Sequence, residues 1–518
     1  MTKEKTRYDA VVIGAGHNGL TTAALLAKKG RKVLVVERRD SIGGLAASEE
    51  FYKDYRAPAI LHSTTSVRER VVRKLNLRKF GLEMDATPPP VFSPHTENRG
   101  LLLHYDPEKA YDEIARFSKH DAERYADYRK FIGKVRRFIN SVFDDTPPDL
   151  ASGGRRDLWR MVMKGVAFQR LGKKTMMELF RIGPMSVADW LDEWFETDLL
   201  KASLAGPAIY GSFTGPRSPG SAFNLLLWEC AQGPAVKGGA PVLVRALEEA
   251  ARELGVTILK GVRVFRINVS EGRSSGVTLE NSQEIPARVV AASCDPKTTF
   301  LDLVESREIS ESLEHRMRHF RSFGTTAKVN VALSSRIDFD DRKGEVVEFI
   351  RIGESLNDLE RAFDAVKYGR ISERPVLDIY VPTFQNKDFA PKGHAVFSVL
   401  FHFAPYELRG GWNQAERDSL AEKVIETLSY YARGIEDSIE ACRVLSPQDI
   451  ETDFGTTQGH IYHGEHAIDQ MLVRPLPECS QYKTPISGLY LCGSGSHPGG
   501  GLTCAPGELA ARSILASS

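Results

Sequence analysis

A glycine-rich turn between a buried strand and a helix stands near each end of the chain, and this pairing predicts an α/β fold. The predicted architecture is a discontinuous Rossmann-type dinucleotide-binding domain joined to a second, mixed α+β domain. Three observations predict it: the N-terminal strand–loop–helix unit, the C-terminal glycine-rich segment, and a central unit that returns the chain to the first domain.

The N-terminal unit has the order that a dinucleotide site requires. Tyr8–Ile13 reads as a strand buried on both faces, and the loop Gly14-Ala15-Gly16-His17-Asn18-Gly19 follows it. We then expect a helix over Leu20–Lys29 and a second strand over Lys32–Glu37. A tight strand-to-helix turn without a ligand is the alternative, but it leaves the glycine spacing unexplained.

Each glycine in the loop has a distinct physical use. Gly14 permits the tight turn, Gly16 lets the backbone approach a diphosphate, and Gly19 lets the helix pack closely on the sheet. Glu37 closes the second strand 18 residues after Gly19, where an acid accepts hydrogen bonds from a ribose. We therefore expect the cofactor to be bound by Gly14, Ala15, Gly16, Asn18, Gly19 and Glu37.

The residues after Glu37 extend this predicted site. The pair Gly43-Gly44 lets the backbone pass close to a phosphate–ribose arm, so we add both glycines and Arg38 to the expected cofactor contacts. Two alternative roles for Arg38 and Arg39 are a solvent-exposed turn and binding of the 2′-phosphate of NADP. The negative charge of Glu37 disfavours binding of that phosphate.

The C-terminal segment predicts a second close approach of bare backbone to a ligand. Gly488–Cys492 reads as a buried strand, the residues from Gly493 to Glu508 are rich in glycine, and an alanine-rich helix follows. Such a run of glycines indicates that something flat or charged lies against the main chain.

The GAGHNGL loop, the Glu37–Gly44 stretch and the LCGSGSHPGGGLTCAPGE segment together resemble the phytoene-desaturase-like FAD-dependent oxidoreductases. The resemblance implies FAD as the cofactor, a Rossmann-type FAD-binding domain and a mixed α+β substrate domain. It also implies cofactor contacts from Val264, Gly493, Gly500, Gly501 and Leu502. Cys504 stands where related carotenoid desaturases commonly have glycine, and we expect its side chain to narrow the space near the flavin.

The central unit supplies the remaining elements. We expect a helix over Val242–Leu254 and strands over Val256–Leu259, Val262–Ile267 and Ala287–Ala292 in the cofactor domain. Strands of a substrate-side sheet are expected at Glu345–Ile352, Val376–Val381 and Ala395–Phe403. The predicted division assigns 1–80, 234–310 and 450–518 to the FAD-binding domain and 81–233 and 311–449 to the substrate domain.

The segment before the C-terminal strand carries the candidate catalytic residues. His460, His463 and His466 recur at every third residue, which suits neither a helical ligand face nor a metal site, so no metal is expected. The resemblance places this segment where substrate meets flavin. Tyr462, His463 and His466 would there orient a substrate or move a proton near neutral pH, and His497 would lie beside the isoalloxazine.

Composition limits the partners. A net charge of +1 argues against nucleic acid as a partner, and six cysteines without a C-x-x-C pair fit a reducing compartment.

The N-terminus lacks an apolar signal core, so we expect a cytoplasmic protein, or one of the mitochondrial matrix in a eukaryote. The basic amphipathic residues 155–195 leave a peripheral membrane contact open beside ordinary surface helices, and the oligomeric state is open too.

Three functions follow from these expectations. The first is a dehydrogenase or desaturase that transfers a hydride from a small-molecule substrate, apolar or small organic, to FAD, which oxygen or a quinone reoxidises. The second is a redox-neutral polyene isomerase that uses reduced FAD. The third is a flavin-holding regulatory or partner-binding protein with little turnover.

Overall fold

Two seven-stranded sheets and a helical layer organise the chain in the computed structural model, which describes residues 7–97, 99–148, 154–342, 344–345 and 347–517. The strands are β1 Tyr8–Ile13, β2 Val33–Val36, β3 Ser48–Tyr52, β4 Tyr55–Pro58, β5 Val91–Ser93, β6 Leu101–Leu103, β7 Thr257–Leu259, β8 Val264–Ser270, β9 Arg273–Leu279, β10 Glu284–Ala292, β11 Thr326–Leu333, β12 Phe349–Ile352, β13 Val376–Tyr380, β14 Ala395–His402, β15 Ile439–Leu445 and β16 Leu489–Leu491. The helices are α1 His17–Ala27, α2 Glu69–Leu75, α3 Pro107–Ala115, α4 Lys119–Phe143, α5 Arg155–Gln169, α6 Lys173–Ile182, α7 Val187–Asp192, α8 Asp198–Ile209, α9 Ser221–Ala231, α10 Gly239–Glu253, α11 Glu311–Arg318, α12 Leu356–Lys367, α13 Gln414–Ser429, α14 Pro447–Phe454, α15 Ile468–Met471 and α16 Ala505–Ala516.

The first sheet contains the N- and C-terminal strands. Its order is β7-β2-β1-β10, with β16 also paired to β10, and all of these pairs are parallel. The long strand β10 continues into an antiparallel layer with β9 and β8. Helices α1, α10 and α16 bury their apolar faces in one cluster with this sheet. The carboxyl ends of β1, β10 and β16 therefore share one edge, where ligands of open parallel sheets bind.

The second sheet has the order β15-β11-β14-β13-β12-β5-β6 and is antiparallel except between β12 and β5. Every residue of β11 and β14 is buried. Helix α13 contributes to the core on this sheet, and helices α3, α4 and α7–α9 form a separate helical core. No helix in the described ranges is long and apolar enough to cross a bilayer.

The predicted α/β architecture is confirmed, and the predicted strands form with ends shifted by a few residues. One difference is informative: α1 begins at His17 rather than Leu20, because loop residues themselves form its first turn after Gly16. Residues 1–6 of the predicted first block and residue 346 of a predicted strand lie outside the described residues. The division into domains stays a prediction, although β1, β2, β7–β10 and β16 share one sheet.

Candidate functional site

The N-terminal loop has the geometry that its glycines predict. Gly14 has a φ of +96°, a left-handed conformation that favours glycine. A β-carbon on Gly19 would lie 2.1 Å from the Gly14 carbonyl oxygen, so only glycine lets α1 approach the loop this closely. Helix α1 starts after Gly16 with no side-chain cap and no acidic residue in its first turn, which leaves its N–H groups free for an anion.

Glu37 fixes the loop from the end of β2. Its Oε2 accepts a hydrogen bond of 2.7 Å from the Ala15 N–H, and its Oε1 accepts one of 2.9 Å from the Arg39 N–H. The Gly43 N–H in turn donates to the Ala15 carbonyl at 3.0 Å. A buried carboxylate therefore holds the loop after β1 and the turn after β2 in one arrangement.

A cavity of ≈ 520 Å³ opens above this loop, and we call it the dinucleotide cavity. Among the predicted residues it is lined by Gly14, Gly16, Asn18, Glu37, Arg38, Gly43, Gly44 and Val264. Ala15 and Gly19 support the loop from behind. Arg263 and Lys297 add positive charge to the lining.

The dinucleotide cavity fits the charged half of FAD. Four polar atoms of its lining residues are buried without a hydrogen-bond partner in the described part of the chain: His17 Nε2, Arg39 Nη1, Thr456 Oγ1 and His463 Nδ1. Unpartnered buried polar atoms cost free energy, so a bound diphosphate and ribose would relieve that cost.

The two glycine-rich stretches meet at α1. Asn18 Nδ2 donates a hydrogen bond of 3.1 Å to Ser494 Oγ, and the Gly507 N–H lies 3.4 Å from Asn18 Oδ1. A β-carbon on Gly507 would lie 2.3 Å from the Asn18 carbonyl oxygen, so this helix contact requires glycine. The ends of the chain thus build one wall together.

A second cavity of ≈ 280 Å³ lies between the second sheet, the helical core and the C-terminal segment, and we call it the central cavity. Gly500, Gly501 and Leu502 line it, as do Tyr462 and His466. Leu61 lines both cavities, so they adjoin there. A cofactor with its diphosphate in the dinucleotide cavity would therefore reach the central cavity at the predicted glycines.

Tyr462 and His466 form the support for the C-terminal glycines. Their rings stack at 5.0 Å, and His466 Nε2 accepts a hydrogen bond of 3.0 Å from the Gly500 N–H. Burial lowers the pKa of His466 to about 3 and raises the pKa of Tyr462 to about 12. The His466 imidazole is therefore neutral near pH 7 and accepts a hydrogen bond from the main chain, and its part in moving a proton stays a prediction.

His463 belongs to the dinucleotide cavity rather than the central cavity. Its φ is +58°, and burial lowers its pKa. His17 faces the same space, and burial together with His463 lowers the pKa of His17 to about 4. Both rings are therefore neutral and suited to hydrogen bonding with a cofactor rather than to contact with a substrate.

Two further predicted residues lie away from both cavities. His497 is fully buried, stacks on Phe143 at 5.4 Å and lies 3.4 Å from the Met471 carbonyl oxygen, so it packs the core instead of facing a flavin. Gly493 is needed where β16 ends beside β10, because its β-carbon would lie 2.4 Å from the Ser293 carbonyl oxygen.

The expectation that Cys504 narrows the flavin space is also not met. Its thiol lies against Thr21 of α1, and Cys504 lines neither cavity. The φ of this residue is +58°, a conformation that glycine adopts more easily. A left-handed backbone, rather than the space near a flavin, would therefore account for a glycine at this position.

Two buried basic residues close to the site, Arg474 and Lys328, were not predicted from the sequence. Arg474 is completely buried and donates to the carbonyl oxygens of Tyr462, Gly464 and Glu465, which fixes the segment that carries Tyr462 and His466. Lys328 is 0% exposed in β11 and donates to Ile60 O and Ser398 Oγ. Burial lowers the pKa of Lys328 to about 7.

A buried charged cluster on the central cavity was missed as well. Asp378 of β13 lies 3.6 Å from His62 Nε2 and 3.6 Å from Arg351 Nε. The Arg351 guanidinium holds the pKa of Asp378 at about 2 despite burial. The lysine inside the apolar strand TAKVNVAL could have indicated a buried charge, because such strands rarely contain one. Nothing in the sequence indicated that His62 and Asp378 lie close together.

Comparison with known proteins identifies flavin-dependent relatives and supports FAD as the cofactor. The model of the family described as flavin containing amine oxidoreductase matches residues 19–507. The chain is 33% identical to pyridine nucleotide-disulfide oxidoreductase domain-containing protein 2 of Rattus norvegicus, over 99% of this chain and 94% of that protein. A component of the limonene dehydrogenase of Castellaniella defragrans is 28% identical over 99% and 95%. All-trans-zeta-carotene desaturase of Myxococcus xanthus is 26% identical over 95% and 90%.

The fold also has solved counterparts. The structure of an oxidoreductase from Methanosarcina mazei superimposes with a TM-score of 0.58 at 15% identity, covering 99% of this chain and 100% of that one. Both the resemblance to desaturase-like oxidoreductases and the predicted α/β fold are thereby confirmed.

Proposed function

The chain belongs to the flavin-containing amine oxidoreductase family, and from this premise we propose that it is an FAD-dependent dehydrogenase or desaturase acting on a largely apolar organic substrate. When bound, FAD supplies the hydride acceptor, so the protein needs to place a substrate carbon beside it rather than to attack it. Oxygen or a quinone is the proposed reoxidant.

The contact between the two cavities carries this proposal. The dinucleotide cavity offers glycine backbone, helix N–H groups and basic side chains for a diphosphate. The central cavity starts at the shared Leu61 and at Gly500–Leu502 and extends into the space between sheet and helices. A flavin reaching from one cavity to the other would meet a substrate in the space between the second sheet and the helical layer.

The lining of the central cavity supports an apolar substrate. Phe143 of α4, Leu204 of α8, Trp228 of α9 and Leu400 of β14 contribute to it, together with Met471. Binding of a hydrocarbon group against apolar walls releases water from both surfaces, which favours ligands with apolar portions. The names of two relatives refer to limonene dehydrogenase and to a carotene desaturase, and they agree with such a preference.

Anaerobic substrate screening tests the proposal. The purified holoprotein is mixed with a panel of apolar alcohols, amines and alkenes, and loss of the oxidised-flavin absorbance is followed. We expect bleaching by at least one compound and a product that has lost two hydrogens. Product of unchanged mass would identify an isomerase instead, and a flavin that no compound bleaches would contradict turnover.

A further inference from the structure

His62 is buried at the wall of the central cavity and has a carboxylate on one side of its ring only. It is 3% exposed, and its Nε2 lies 3.6 Å from Asp378 Oδ2. Its Nδ1 is buried without a hydrogen-bond partner in the described ranges. The ring of this cavity-lining residue thus has one nitrogen near a carboxylate and one buried nitrogen without a partner.

The carboxylate decides which ring nitrogen carries the hydrogen. Asp378 is ionised at neutral pH because Arg351 stabilises its charge, and an ionised carboxylate only accepts hydrogen bonds. The hydrogen of neutral His62 therefore belongs on Nε2, and the lone pair belongs on Nδ1. The 3.6 Å between Nε2 and Asp378 Oδ2 exceeds a hydrogen-bond distance slightly, and a small movement of either side chain would form the bond.

His62 is neutral before a ligand arrives. Burial lowers its pKa; Lys328 of β11 and Arg351 of β12 act in the same direction, whereas Asp378 of β13 opposes them. His402 at the end of β14 and Tyr380, whose ring stacks on His62 at 5.5 Å, are further titratable groups here; burial lowers the pKa of His402 to about 3 and raises the pKa of Tyr380. His62 Nδ1 is therefore unprotonated at neutral pH.

His402 is the alternative base and is less suited to the role. Its Nδ1 lies 3.4 Å from Thr326 Oγ1, and a hydroxyl can donate or accept, so the position of the ring hydrogen is not fixed. Its ring also stacks on Tyr210 at 3.7 Å with planes 6° apart. Of these two histidines, His62 is the one that a buried carboxylate orients.

We propose that His62, oriented by Asp378, accepts the substrate proton in the central cavity, and that the substrate is an apolar alcohol whose hydroxyl is on the carbon that is oxidised. This rests on the proposed function. The C–H bond breaks and its electron pair leaves as a hydride to the family's flavin. The O–H proton moves to His62 Nδ1, and the O–H electron pair becomes the second bond of the carbonyl product.

The charges around His62 select the hydroxyl over other groups. Arg351 offsets Asp378, and the buried Lys328 adds a second basic group, so an ammonium gains little here. A carboxylate brings no proton at neutral pH for His62 to accept. An imidazole is also too weak a base for an unactivated C–H bond, which argues against a pure hydrocarbon as the partner of this residue.

A matched pair of ligands tests the inference. Perillyl alcohol and limonene differ by one hydroxyl. Binding of each compound to the holoprotein can be followed by the change in flavin absorbance, which gives its dissociation constant. We expect the alcohol to bind roughly tenfold more tightly, because it satisfies a buried acceptor. The preference should persist at neutral pH and vanish well below pH 6.5, the ordinary pKa of histidine, when Nδ1 is protonated.

Two variants locate the effect. His62→Leu removes the acceptor and Asp378→Asn removes the orienting charge, and each should bring the two dissociation constants together while FAD remains bound. His319→Gln removes an exposed histidine that lines neither cavity and should preserve the preference. Rapid mixing with the alcohol should bleach the flavin in the wild type and at least about a hundredfold more slowly in His62→Leu.

The outcomes separate the two proposals. Equal binding of alcohol and hydrocarbon, no binding of either, or a preference that survives both variants would overturn the inference. Bleaching by limonene without tighter binding of the alcohol would overturn it while leaving the proposed function intact. Binding through His62 that never bleaches the flavin would instead contradict the proposed redox function.

Discussion

Asn18 in the first glycine-rich loop donates a hydrogen bond of 3.1 Å to Ser494 in the second, across 476 positions of sequence. Thr22, one turn further along α1, donates to the Gly507 carbonyl at 3.0 Å. The N-terminal helix is therefore fastened to the segment that lines the central cavity. Any change at this junction should affect cofactor binding and stability together.

Gly507→Ala tests the junction. The added β-carbon would lie 2.3 Å from the Asn18 carbonyl oxygen, so α1 and α16 must move apart. We expect a loss of about 1–3 kcal/mol in the free energy of unfolding and a lower FAD content. Gly133→Ala in α4, where nothing lies within 4 Å, is the control and should be neutral or slightly stabilising. Equal behaviour of the two variants would contradict this picture.

Glu37→Gln tests the carboxylate that orders the loop. The oxygen of the glutamine amide can still accept a hydrogen bond from one of the two N–H groups. Its NH₂ group would then face the other N–H, that of Ala15 or of Arg39, and lose that hydrogen bond. Since hydrogen bonds to charged groups contribute about 1.5–3 kcal/mol, we expect FAD affinity to fall roughly tenfold to a hundredfold. Asp40→Asn, at an exposed position three residues later, serves as the control. Equilibrium titration of apoprotein with FAD measures both, and unchanged affinity in Glu37→Gln would contradict the role.

Lys328→Met tests the buried lysine through pH. The pKa of Lys328 is about 7 in the folded protein, whereas the ordinary value, which applies to the unfolded chain, is 10.5. Between pH 7 and pH 10.5 the unfolded chain therefore binds more protons at this lysine than the folded protein does. Wild-type stability should therefore rise with pH across that window, by about 1.4 kcal/mol per pH unit from this group. The stability advantage of Lys328→Met should be greatest below pH 7 and shrink as pH rises.

Denaturant unfolding at a series of pH values provides the comparison. Lys130→Met, at a side chain that is 77% exposed, controls for the loss of a lysine as such. A difference between wild type and Lys328→Met that stays constant from pH 7 to 10 would show that Lys328 does not titrate in this range.

The helices α5 and α6 expose apolar and basic side chains, and we propose that these helices contact a lipid surface. Leu158, Trp159, Met177 and Phe180 are 60–66% exposed, and Lys173 and Lys174 are exposed at the start of α6. Trp159→Ser combined with Phe180→Ser should reduce binding to anionic phospholipid vesicles by roughly tenfold or more. Tyr430→Ser, at another exposed aromatic ring, should leave binding unchanged. Wild-type protein that fails to co-sediment with vesicles would contradict the proposal.

Local patterns predicted the dinucleotide half of the site because its parts are adjacent in sequence. Gly14, Gly16 and Glu37 lie within 24 residues, and each has a backbone or charge requirement that only a few residue types meet. The C-terminal glycines were recognisable for the same reason. The contact of this C-terminal segment with Asn18 could be predicted only from the family resemblance, because a contact across hundreds of residues leaves no local sequence pattern.

The central cavity shows what such patterns miss. His62 follows β4, whereas Arg351 and Asp378 are opposite one another on β12 and β13, so only the register of the second sheet brings them together. His497 illustrates the reverse error. It stands among glycines and was expected beside the flavin, but its buried ring stacks on Phe143 and lines neither cavity.

Binding of FAD to the apoprotein tests the central claim most directly. Isothermal titration and the absorbance of the washed complex should give one FAD for each chain, and Asn18→Ala and Gly507→Ala should both weaken the binding because both act on the wall that the two ends share. A folded, monodisperse protein that takes up no FAD, or that binds it equally well with either substitution, would contradict the account.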